Sequence, residues 1–399
     1  MSNSDRYLVV SADGHAGPPA EQYREHLEER YRPTFDKFLN EQEIISLTSP
    51  EFRAEWEEET GDHELLAAYD SDTRVAVLDQ EGVAAEVLFP DADVLGTGRL
   101  AASPFGSGLG SGVDTAPELV LAGAKAHNRW LAEFCAKAPD RRIGVAVIPI
   151  TWDVDAAIAE IHAVADLGLR GVMIPTRWFE QPAYLDMRYE PVWSAMEEHG
   201  LVVHTHSGAG PADYEPGPGM LGIYAAESWW WAARPFWVLV LAGVFQRHPR
   251  LMYSIAENGA WWVPDIVKRM DEKWVGAHNT RKFGDAFKMG LDEKPSFYVN
   301  RNCFFAASTP GPDEIDRRHE IGIGNLLWGN DLPHPEGTYP HTRKWIAERF
   351  RDVPVEETRL ILGETAADLY RCDRAALSPI VERIGPTVAD VHGSQGAIV

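Results

Sequence analysis

Cysteine is scarce in this chain. There are three among 399 residues, Cys135, Cys303 and Cys372, widely separated and odd in number. Neither a disulfide framework nor a cysteine-based zinc site follows from such a set, and a reducing compartment is the expectation. Long apolar runs are missing too: residues 236–245 form the longest, about half of what a membrane-spanning helix needs. Met1 to Tyr7 lead straight into an apolar strand pattern without a signal-peptide profile, so a cytoplasmic protein with no membrane partner is expected. Basic residues are in deficit, 37 Lys and Arg against 61 Asp and Glu, for a net charge of −24. A surface of that sign repels nucleic acid and anionic membranes. An anionic substrate would need a local Arg, Lys or metal. No internal repeat is present.

What is there is a sizeable apolar fraction, 45% of residues, distributed in a regular alternation. Short continuous apolar runs at Tyr7–Ser11, Ala85–Phe89, Ile143–Pro149, Gly171–Ile174, Val202–His206, Met252–Ala256, Cys303–Ala306 and Leu326–Trp328 read as buried parallel strands. Between them, Asp72–Gln80, Ala124–Lys137, Asp155–Leu167, Tyr189–His199 and Phe236–Arg247 carry helical spacing and end near Gly or Pro. Eight strands with intervening helices is the count of a (β/α)8 barrel, and such barrels reach this length with insertions. Two insertions follow the first two strands. Residues 21–69 are charged, aromatic and expected to be helical; residues 91–115 are rich in Gly, Ser and Ala. Both fall on the active-site face, where a lid is one reading; the other is surface decoration for the first and a flexible loop without a role for the second. The barrel is expected over residues 1–377, with a polar, loosely packed tail over 378–399.

The chemistry gathers at strand ends. Asp13 and His15 stand two residues apart after the first strand, so both side chains face one way. His204 closes the run Leu201 to Val203, with His206 two residues on, and Asp331 closes the last strand, followed at once by Pro333 and His334. Two carboxylates and one or two imidazoles at one barrel face suit a divalent Zn²⁺ or Mn²⁺ with an open position. For His206 three readings stand: a ligand, a substrate donor, or a loop residue. His334 would hold Asp331 or contact substrate. Arg177 and Trp178, on the loop after the fourth strand, could bind an anionic ring. Trp229, Trp230 and Trp231 cannot all enter one core if helical, so packing against the barrel exterior, a pocket wall and a subunit interface are all open.

Asp13-Gly14-His15, Arg74 with Leu78 to Val83, Asn128-Arg129-Trp130, Gly168 to Gly171, Val203-His204, Gly243 to Pro249, Glu257-Asn258-Gly259, Trp328 to His334 and Ile361 to Ala366 together resemble the amidohydrolase-related metal-dependent barrels. The branch is that of aminocarboxymuconate-semialdehyde decarboxylase. The resemblance spans nearly the whole chain, and its most specific piece is Gly329-Asn330-Asp331-Leu332-Pro333-His334. It implies metal ligands at Asp13, His15, His204 and Asp331, with Asp13 replacing the first ligand of the family's paired motif. Asp331 would also take a proton from a water. It implies a homodimer and a small cyclic or aromatic substrate. Arg74 matches an arginine that some members aim at a substrate carboxylate, although pairing with Asp70 or Asp72 is equally open. Decarboxylase members carry His where Glu257 stands here, and Glu257 or His206 would handle the second proton. That departure tips the reading to a metal-dependent hydrolase. A non-oxidative decarboxylase and a non-catalytic binding barrel are the alternatives.

Overall fold

The computed structural model describes residues 5–41, 66–90, 116–178, 181–207, 217–279 and 290–393, with isolated positions between. Strand β1 (Val10–Ser11) and its continuation β2 (His15–Ala16) both pair in parallel with β3 (Ala85–Pro90). From there β4 (Arg142–Val147), β5 (Gly171–Met173), β6 (Val202–His206), β7 (Tyr253–Ala256), β8 (Cys303–Ala306) and β9 (Leu326–Leu327) follow in sequence order, every pair parallel. The ring closes through three backbone bonds. Ala12 N–H donates to Trp328 O at 2.9 Å, His15 N–H to Leu332 O at 2.7 Å, and Asp331 N–H to Asp13 O at 3.0 Å. This is a (β/α)8 barrel, and all eight expected strands are in it. Every residue of β4 and β6 is buried, because helices cover the outer face while side chains fill the inner one.

Local chemistry sets the helix ends. The Asp70 carboxylate accepts Thr73 N–H at 2.8 Å to start Ser71–Glu81, and Gly82, at φ 81°, ends it. Asp153 caps Val154–Asp166 in the same way.

Two expectations are corrected. The helix expected over Phe236–Arg247 runs instead over Met220–Leu241, straight through Pro235, and breaks before a short helix at Val244–Arg247. Proline removes one helical N–H donor. Burial of Ala232, Ala233, Phe236, Leu239 and Val240 against the barrel offsets that loss. The three tryptophans ride on this helix: Trp229 packs on Trp261 and Trp262 at 5.2 and 5.9 Å between ring centres, and Trp230 meets Trp231 edge-on.

The tail does not pack loosely. Its expected boundary falls inside the helix Arg374–Ile384, and a further helix follows at Val388–His392. Tyr7 N–H donates to Pro386 O at 2.9 Å, and the Tyr7 hydroxyl bonds the His392 ring at 2.6 Å, so this segment is stitched to the first strand.

The first insertion is helical at Tyr23–His26 and Arg32–Glu41. Most of its remainder, and residues 91–115 apart from Phe105, lie outside the described residues. Among the described residues no helix is long and apolar enough to cross a membrane.

Candidate metal centre

At the C-terminal mouth of the barrel, the ends of β1, β6, β7 and β9 bring their polar side chains to one place. Two overlapping sets of donor atoms each lie within 4.8 Å of one another: His15, Glu257, Asp331 and His334 in one, and Asp13, His15 and His206 in the other. Asp13 Oδ1 is 3.2 Å from His206 Nε2 and 3.7 Å from His15 Nε2. His15 Nε2 is 3.3 Å from Asp331 Oδ1 and 4.0 Å from Glu257 Oε2, and the latter oxygen is 3.5 Å from His206 Nδ1. The His334 ring lies tilted by 30° with its centre 4.1 Å from that of His15, while its Nδ1 is 3.1 Å from Asp331 Oδ1. Phe89, at the end of β3, forms an apolar wall against His15 and His206, with ring centres 6.1 and 4.7 Å away.

Backbone geometry aims these groups. Glu257, Ser308 and Asp331 follow the ends of β7, β8 and β9 with φ of 49°, 55° and 55°. A left-handed turn at a non-glycine residue costs roughly 1–3 kcal/mol and concentrates at functional sites. Here it turns each chain at the end of its strand.

The electrostatics suit a cation. Asp13 and Asp331 are almost wholly buried, and Glu257 is about one quarter exposed. Burial would raise the Asp331 carboxyl, but the His15 and His334 rings outweigh that and hold it well below the usual carboxylate range. Burial raises Glu257; His206 pulls it back, and Asp331 and Asp13 push it up, with a net rise. His206 is pushed up to about 9: burial opposes its charge, yet the Asp13 carboxylate, with Glu257 behind it, prevails. His15 Nε2 is buried without a well-aligned hydrogen-bond partner. Three carboxylates facing one such nitrogen form a donor set that a divalent ion fits, since a buried, crowded negative charge is costly without a counter-ion.

Several expected site residues sit elsewhere. His204 points inward from β6 but lies two residues, about 7 Å, deeper than His206. Its ring stacks on Tyr370, whose hydroxyl is 3.3 Å from Nε2, and burial, helped by His206, pulls it down to about 3. His204 is therefore outside both donor sets, and His206 occupies the level of Asp13. Arg74 is fully buried and spent. Its Nε and Nη2 grip Glu86 of β3 at 3.0 and 2.6 Å, Nη1 donates to His15 O at 2.8 Å, and Nη2 to Leu332 O at 3.2 Å. Its partner is neither Asp70 nor Asp72, and no donor is left for a substrate carboxylate; the residue ties the loops that carry His15 and Asp331 together instead. Trp178 is buried in the core, edge-on to Tyr184 at 5.4 Å and under the Arg234 guanidinium at 4.3 Å. Arg177 lies over the Trp231 ring at 5.6 Å. Two residues near the centre gave no sequence signal beyond their place after a strand or on a helix: Ser308, and Tyr224, whose phenol is raised by burial and by the Glu257 charge.

Comparison with known proteins agrees with this architecture. The amidohydrolase family profile matches residues 69–372. Gamma-resorcylate decarboxylases of Rhodococcus jostii (strain RHA1) and Rhizobium sp. (strain MTP-10005) are each 30% identical, over 278 and 275 residues. Both alignments cover 63% of this chain and 77% of the relative. Among solved structures, 5-carboxyvanillate decarboxylase from Sphingomonas paucimobilis superposes with a TM-score of 0.62 at 18% identity, over 92% of this chain and 100% of that one. Dihydroxybenzoic acid decarboxylase from Polaromonas sp. JS666, with bound manganese and 2-nitroresorcinol, gives 0.59 at 18% identity, over 93% and 99%. At those identities the structures speak for the fold. The family profile spans well over half of the sequence, and the chain belongs to the amidohydrolase family.

Proposed function

We propose that this protein is a metal-dependent, non-oxidative decarboxylase of a small hydroxylated aromatic carboxylic acid. The observation that carries the reading is the juxtaposition of a protonatable carboxyl group, Glu257, with the converging donors Asp13, His15, His206 and Asp331. The decarboxylase names of the 30%-identical relatives support it. They favour carboxy-lyase chemistry over the hydrolysis that Glu257 in place of histidine suggests. A divalent ion, Mn²⁺ or Zn²⁺, would supply positive charge to hold the carboxylate and the neighbouring phenolic oxygen of the substrate. Asp13, His15, His206 and Asp331 would hold it.

In this reading Glu257, whose Oε2 lies 4.0 Å from His15 Nε2, is the proton donor, and burial with its acidic neighbours favours the protonated form. It transfers that proton to the ring carbon bearing the carboxylate. The bond between ring and carboxylate then breaks, its electron pair returns to the ring, and CO₂ leaves. One proton is consumed per CO₂, and no oxidant or reductant is needed. Solvent returns a proton to Glu257, whose side chain is about one quarter exposed at the mouth. Phe89 offers an apolar face beside the ring.

The test is incubation of Mn²⁺-loaded protein with 2,6-dihydroxybenzoate and related hydroxybenzoates, following CO₂ and the decarboxylated phenol. Release of both in equal amounts is expected. Absence of CO₂ across the panel, with turnover of an ester or amide, would return the assignment to hydrolysis.

A further inference from the structure

The two oxygens of Asp13 face different surroundings. Oδ1 looks toward His206 and His15 at 3.2 and 3.7 Å. Oδ2 accepts a hydrogen bond from the Ser308 hydroxyl, which comes from the end of β8, a strand without a member in either donor set. Ser308 is buried and sits at φ 55°. Glycine is the low-cost residue for that conformation, so a serine there carries strain that only its side chain can justify. The same residue is fixed from behind, because its carbonyl accepts Gly329 N–H at 2.8 Å. Gly329 in turn lies flat against Asp13, where an added Cβ would come within 2.6 Å of the Asp13 Cβ.

We infer that Ser308 is a positioning residue for the metal centre. Its hydroxyl pins Oδ2 of Asp13 and so turns Oδ1 to the site where the ion is held. An aspartate whose second oxygen is free can rotate about its last torsion and present either oxygen or both; one held by a buried donor presents a single oxygen in a single direction. Partners of this kind, one step behind the ligand, typically affect metal affinity by 10–100-fold.

The inference rests on the metal-dependent reading, and one experiment separates the two. Metal-free protein and its Ser308→Ala and Ser308→Gly variants are titrated with Mn²⁺ by electron paramagnetic resonance, beside the Tm of each metal-free form. Both variants should bind Mn²⁺ roughly 10–100-fold more weakly. Metal-free Ser308→Gly should nevertheless melt above Ser308→Ala, because glycine releases the backbone strain that alanine keeps. If affinity instead follows Tm, or if either variant binds within about twofold of the unchanged protein, Ser308 is merely structural. If the unchanged protein takes up no Mn²⁺, the metal reading falls and the Ser308 assignment with it.

Discussion

Glu257 and Arg74 illustrate how a residue type alone misleads. By type a glutamate reads as an ionised carboxylate, yet Glu257 faces Asp13 and Asp331 across a partly buried mouth, and burial with those neighbours raises its carboxyl. Replacing it with glutamine keeps the shape and removes the proton that the proposed reaction transfers. We expect Glu257→Gln to retain Mn²⁺ and to lose CO₂ release by roughly 10²–10⁴-fold; retention of activity within tenfold would assign the proton to another group. Arg74 reads from sequence as a free cation at an active face. Its actual partner, Glu86, lies 12 positions further along on β3, and the pair is wholly buried. Burial of that kind is set by which strand a helix packs on, and no local pattern announces it. The choice between His204 and His206 is similar. Alternation puts both inside the barrel, and only the level of β6 relative to β1 decides which imidazole meets Asp13.

At the level of elements, the strands were legible because parallel barrel strands are buried on both faces and read as continuous apolar runs. Of the five helical stretches expected between strands, four were legible from caps and spacing. The exception, Met220–Leu241, crosses a proline that locally signals a start. The helix Ser71–Glu81 shows how an element is anchored electrostatically. Asp79 accepts from Arg141 at 2.8 Å and from Arg383, and these two guanidinium groups hold its carboxyl below the ordinary value despite partial burial, which opposes them. A depressed carboxylate stabilises the fold above its unfolded value, near 3.9, and loses that contribution as pH falls through its folded value. Asp79→Asn should therefore cost roughly 1–3 kcal/mol at neutral pH. The gap between variant and unchanged protein should close below about pH 4. Urea unfolding at pH 7 and at pH 3 checks this; a gap of the same size at both would mean that shape, not charge, is responsible.

Across the whole molecule, the chain closes on itself. Arg6, Tyr7 and the segment from Arg383 to His392 meet on the outside of the barrel, and Val381, Ile384, Val388 and Val391 are buried there. Four aliphatic side chains at about 1.5–3 kcal/mol each amount to a large share of a typical stability of about 5–15 kcal/mol. A chain ending at Leu377 should accordingly be insoluble or unfold near room temperature, and a soluble product with an unchanged urea midpoint would show that this segment is dispensable.

The sequence by itself determined the barrel, its strand list and the polar residues at the strand ends, since hydrophobic periodicity and strand-end placement are written locally. Tertiary structure alone decided which of those residues share a level, which charges are already spent on one another, and that Ser308 reaches Asp13 from 295 positions away. Such relations depend on strand register, depth in the barrel and a few left-handed backbone turns. All of these are fixed only when the ring closes.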